Sequence, residues 1–137
     1  MTETDIPGPA RSGVYRTPAD LAPLRESLDH ARARWIEVDL DSVRTKAELL
    51  DTLARAASLP AHFGRNWDAL ADCLQDLPAP GAACVVHVFG ASAARGALGP
   101  DWAIFLEILE DAAMYWSERG TAFLAFVDDA PELSPWR

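Results

Sequence analysis

Residues 59–77 read LPAHFGRNWDALADCLQDL. Leu59-Pro60 ends any helix that precedes it, because proline lacks the amide a helix interior needs and pushes the residue before it towards extended conformations. Asn66 is a natural N-cap, its side-chain oxygen suited to accept an orphan amide of the first turn. The spacing predicts a helix over 66–77, ending before Pro78. With a step of about 100° per residue, Trp67, Leu70, Leu74 and Leu77 fall in an arc of about 80°, which is the core side. Asp68, Asp72 and Asp76 occupy a second arc of about 80°, nearly opposite. Acids four residues apart repel, by about 0.2–0.5 kcal/mol per pair in an isolated helix, and no Lys or Arg alternates with them. Asp68 recovers some of this from the helix N-terminus, Asp72 and Asp76 progressively less. Spacing alone leaves two readings open, an ordinary solvated face and a surface kept for a cationic partner.

The flanking sequence supplies the rest of an α/β pattern. Upstream, Thr45 with Glu48 fits a capping box, and Leu49, Leu50, Leu53 and Ala57 form the buried stripe of a helix over 45–57. Residues 35–40, WIEVDL, read as a strand. Before it, Thr17-Pro18 opens a helix expected over 18–33, with Leu21, Leu24, Leu28 and Ala31 at helical spacing. GVYR, 13–16, is a candidate extra N-terminal edge strand, and residues 1–13, with two Pro and two Gly, read as a flexible tail. Downstream, 84–89 is an apolar run broken only by His87, as a strand covered on both faces requires. Residues 90–100 read as a small-residue loop, 101–118 as a helix with Trp102, Phe105, Leu109, Ala113 and Trp116 along one side, and 121–127 as a final strand. Strands separated by helices imply a small parallel sheet of three strands packed with helices. The expected organisation is a tail at 1–13, an N-terminal extension with a helix at 14–34, and an α/β domain at 35–137.

Composition narrows the partners. Twenty-one acids against twelve Lys and Arg give the 137-residue chain a formal charge of −9. That field repels phosphate backbones and anionic lipid, so nucleic acid and membrane are poor partners and a cationic protein is the better one. Cys73 and Cys84 lack metal-ligand spacing and are expected as reduced residues of the core. The first residues have neither a cationic start nor an apolar run, which makes the cytoplasm the expected compartment, and a monomer is the default state for a chain this small.

The 59–77 segment is similar to the signature of the barstar family, in which a Leu-Pro, an aromatic-Gly turn and an Asn-x-Asp-Ala-Leu-x-Asp-Cys-Leu helix follow one another. Gly64, Asn66, Asp68, Ala69, Leu70, Asp72, Cys73 and Leu74 stand at family spacing. The order of elements from about Trp35 to Val127 agrees with the family fold, and the first 34 residues lie outside the core of the resemblance. It implies three parallel strands with helices, and an inhibitory helix with its adjoining loop that plugs the active site of a basic, barnase-like ribonuclease. On that resemblance Asp72 matches the acid that enters the site of the scissile phosphate, and Asp68 the neighbour that pairs with basic residues of the enzyme. His62 stands where the family often has a contacting aromatic ring, while Gly64 and Asn66 shape the loop. Ala71 replaces a large aromatic contact and Trp67 replaces a leucine, so the contact surface differs from the family pattern. A further family acid lies on the helix before the last strand, where Asp111 is the first candidate and Glu110 the alternative.

Other readings are weaker. The three histidines show no HExxH spacing and no Ser sits in GxSxG, so no catalytic residue, metal ligand or cofactor is assigned. His87 reads as a satisfied core histidine, Asp128-Asp129 as a solvated turn, and Gly96 to Gly99 lacks the lysine of a phosphate loop. Of the five tryptophans four read as core and Trp136 as an exception that packs back or stays exposed. The rival to ribonuclease inhibition is a binding or immunity module for another basic protein or toxin.

Overall fold

Side chains of a strand alternate between the two faces of its sheet, and here that alternation separates two cores. The structure is a computed structural model that describes residues 8–30, 33–60, 64–77 and 82–136. After a 3-10 turn at Pro9–Arg11 come β1 (Gly13–Arg16), α1 (Ala22–His30), β2 (Arg34–Asp39), α2 (Lys46–Ala56), α3 (Trp67–Leu74), β3 (Cys84–Phe89), α4 (Ser92–Leu98), α5 (Pro100–Ser117), β4 (Phe123–Val127) and β5 (Ser134–Pro135). Every strand pairing is parallel, in the order β2-β3-β4-β1-β5.

The parallel α/β architecture agrees with the sequence reading, but the sheet has five strands where three were expected. The short strand at 13–16 is present, yet it lies inside the sheet between β4 and β5 and not at an edge. β5 is two residues long and ends on a proline, too short to show any alternation. What holds it there is aromatic: Trp136 packs edge-on to Tyr15 and Phe126, with ring centroids 5.0 and 5.3 Å apart, and the Arg11 guanidinium lies 3.6 Å from its ring.

Four helices cover one face. Leu49, Leu50 and Leu53 of α2, Leu70 and Leu74 of α3, Ala94 and Leu98 of α4 and Trp102, Phe105 and Leu109 of α5 pack with Ile36, Val38, Val86, Val88, Phe123 and Ala125 of the strands. The opposite face is covered by α1, whose Leu28 meets Val85, Leu124 and Phe126, with Tyr15, Trp35 and Trp136 around them.

Local chemistry explains the element boundaries. The Thr45–Glu48 capping box is formed, so α2 begins where the sequence placed it. α1 is shorter than the expected 18–33, because the Asp20 carboxylate accepts the Ala22 amide at 2.9 Å and leaves 17–21 as a connecting loop. The expected loop at 90–100 instead contains α4, whose buried side is built from Ala91, Ala94 and Leu98 and so carries little hydrophobic signal. α5 closes at Gly120, which takes φ +80° while the Thr121 amide donates to Trp116 O at 2.9 Å. No helix among the described residues is long and apolar enough to cross a membrane.

Candidate protein-binding surface

The described residues immediately before α3 are Gly64, Arg65 and Asn66. Asn66 is extended (φ −138°, ψ 169°), its Oδ1 accepts the Ala69 amide at 2.7 Å, and its Nδ2 donates to Gly64 O at 3.3 Å. A Cβ on Gly64 would meet that amide nitrogen at 3.2 Å, a tight contact that the Asn66 side chain would have to relieve by shifting. Arg65 takes φ +51°, in the left-handed region, and its Nε donates to Asp51 Oδ1 on α2. Lys46, at the start of α2, places its ammonium 5.2 Å from the Trp67 ring centroid.

Packing fixes the rotation of α3. Leu70 and Leu74 are buried, Trp67 and Leu77 are half-buried against the same cluster, and Trp116 Nε1 of α5 donates to Leu74 O at 2.9 Å. The opposite side presents Asp68 and Asp72, both exposed. Neither has an ion pair or hydrogen bond to any described cation. The helix ends at Leu74, three residues before the expected end, where the Gln75 amide bonds back to Ala71 O and Asp72 O. Asp76 is therefore exposed but stands in the turn beyond the helix, not on its third turn. Ala71 is half-buried against the core and is not part of the open acidic side.

Of the residues singled out from sequence, Gly64, Asn66, Asp68, Asp72 and Asp76 fall along this one segment, and His62 lies outside the described residues. Asp111 is on α5, which is tied to α3 through the Trp116–Leu74 bond. It and Glu110 are both exposed on the outer side of that helix. Cys73, between the acids, has its thiol pKa raised by burial first and then by Asp76 and Asp72. Burial pushes the Cys84 thiol up to about 12, and both cysteines are free.

Four contacts had no local signature. Asp51 and Arg65 are fourteen residues apart and meet because the fold brings the loop before α3 to α2. Asp128 is not merely a solvated turn residue: His87 Nε2 lies 3.1 Å from its Oδ1, while His87 Nδ1 lies 3.0 Å from Glu37 Oε2. Asp129 accepts the Ser92 hydroxyl at 2.7 Å. A cleft of about 480 Å³ beside His87 is lined by Thr17, Leu21, Asp128 and Asp129, but its acids are engaged within the chain. No cluster of three or more His, Cys, Asp or Glu able to hold a metal occurs among the described residues.

A capped helix with a locked apolar side and open carboxylates is what the sequence resemblance implies. Comparison with protein families agrees, matching residues 18–128 to the family described as Barstar (barnase inhibitor). The chain belongs to the barstar family. The match begins at residue 18 and so takes in α1, which the resemblance read from sequence had left outside. β1 and β5, the two strands beyond the expected three, lie outside the matched residues. No curated protein matches the chain. Family membership suggests a role like that of a barnase inhibitor, exercised through a protein partner.

Proposed function

We propose that the protein inhibits a basic, barnase-like ribonuclease by inserting the carboxylates of Asp72 and Asp68 among the cations that bind the substrate phosphate. A ribonuclease must gather Arg, Lys and His around a phosphodiester, so acids on a rigid helix meet donors already arranged. The observation that carries this reading is the exposure of Asp68 and Asp72 without a described cation, on a helix whose other side is fixed by buried leucines. Gly64 and Asn66 hold the adjoining loop, and Asp76 and Asp111 extend the negative surface around it. The formal charge of −9 favours fast encounter with a cationic enzyme. Two free thiols suit action as a monomer in the reducing cytoplasm.

Titrating the purified protein into a barnase-like ribonuclease tests this. Near-stoichiometric loss of RNA cleavage, with association slowing steeply as salt rises, is the expected result. The second reading, a binding or immunity module for another basic protein or toxin, is favoured by Ala71, which removes a large aromatic contact of the family pattern. It would show as retention of activity by the ribonuclease at every ratio, together with capture of a different basic protein.

A further inference from the structure

One arginine at the edge of the acidic side is paired with an acid of the neighbouring helix. Arg65 stands three residues before Asp68, in the loop just ahead of the Asn66 N-cap, while Asp68 sits in the first turn of α3. In the structure Arg65 turns to Asp51 of α2, its side chain 62% exposed and that of Asp51 41% exposed. Neither side chain is buried, so nothing in the core dictates the choice of partner, and an exposed pair of this kind adds little to fold stability.

We propose that Asp51 is a positioning residue of the binding surface: by holding Arg65 against α2, it keeps that guanidinium off Asp68 and leaves the α3 carboxylates open to a partner's cations. This rests on the reading that those carboxylates receive a basic protein. Without Asp51, Arg65 would close onto Asp68 and compete with the incoming Arg or Lys for the same oxygens. The pair therefore serves the surface and not the core, which is why its effect belongs in binding and not in the melting temperature.

Two measurements on the full chain decide it. In side-chain NMR the Arg65 Nε–H should show contact with the Asp51 carboxylate in the wild type and with the Asp68 carboxylate in Asp51→Ala; if it reaches Asp68 in neither protein, the proposal is overturned, whether or not a nuclease binds. In inhibition assays Asp51→Ala should weaken inhibition by roughly two- to fivefold at an unchanged melting temperature. The same substitution in an Arg65→Gln background should have an effect under about 1.5-fold, since no guanidinium is left to release. Equal losses in both backgrounds would mean that Asp51 touches the nuclease directly, and no loss in either would mean that Arg65 never competes; both overturn the proposal. A wild-type protein that inhibits no barnase-like ribonuclease would defeat the functional reading instead, and the Arg65 resonance would still settle the competition.

Discussion

α2 and α3 are consecutive helices that use acids in opposite ways. Both begin with a side-chain cap, Thr45 in one and Asn66 in the other, and both bury leucines in the same cluster. On α2 the acids Glu48 and Asp51 are committed within the chain, Glu48 to the amides of Arg44 and Thr45 at 2.8 and 3.2 Å and Asp51 to Arg65. On α3, Asp68 and Asp72 have no described cation, although repulsion between them works against the helix. Glu48 stabilises its own helix, whereas the Asp68–Asp72 pair costs its helix about 0.2–0.5 kcal/mol, which the proposed cationic partner would offset.

The contrast can be tested from its largest effect downward. Leu50 in α2 and Leu70 in α3 are each 1% exposed. Replacing either with alanine should cost about 2–5 kcal/mol in urea denaturation, because both leave cavities in one core. If the two losses differed widely, the helices would not share that core as described. Asp72→Ala should weaken inhibition by about 2 kcal/mol or more, at least roughly thirtyfold in Kd. The same variant should melt at the wild-type temperature or slightly higher, since the relieved repulsion is only about 0.2–0.5 kcal/mol. A large loss of thermal stability would show that Asp72 serves the fold, and the comparison would collapse.

Thr45→Ala and Asn66→Ala should each remove about 1 kcal/mol of stability, measured by denaturation. Only Asn66→Ala should also weaken inhibition beyond its effect on folding, because its side chain closes the recognition loop onto Gly64. The smallest effect reads the field on α3 directly. Cys73 is raised by burial, then by Asp76, then by Asp72, so at pH 8 it holds less thiolate and alkylates more slowly than a free thiol. Asp76→Asn should lower its pKa and speed alkylation more than Asp72→Asn does. Cys84, buried and pushed up to about 12, should stay unmodified in the folded protein and serve as the internal control.

The helix and its acidic side were legible because their signals are local. Asn66, the Trp67–Leu70–Leu74 stripe and the Thr45–Glu48 box each depend on residues within one or two turns, and all three formed as read. β2, β3 and β4 were legible for the same reason, as dense runs of β-branched and aromatic residues. Alanine defeated the reading of α4, since Ala91 and Ala94 fit a crowded helix–sheet contact without looking hydrophobic in sequence. β5 was invisible because two residues have no period, and its pairing with β1 is backed by the edge-on packing of Trp136 against Tyr15 and Phe126. The Asp51–Arg65 pair could not be read at all, because a contact between a helix and a loop fourteen residues on leaves no trace in the spacing along either. Arg65 was visible within the motif, but its partner was not.

The added strands also say something about how the protein can be trimmed. β1 pairs with β4 along its full length, Gly13 to Arg16 against Leu124 to Val127, and both β1 and β5 fall outside residues 18–128. A fragment cut to that family boundary would keep the acidic helix but end its sheet at β4, baring a row of unpaired amides and carbonyls on one of its most apolar strands. Such an edge is a template for another copy of the same strand, so the shortened inhibitor should tend to associate with itself even where the whole chain stays dispersed.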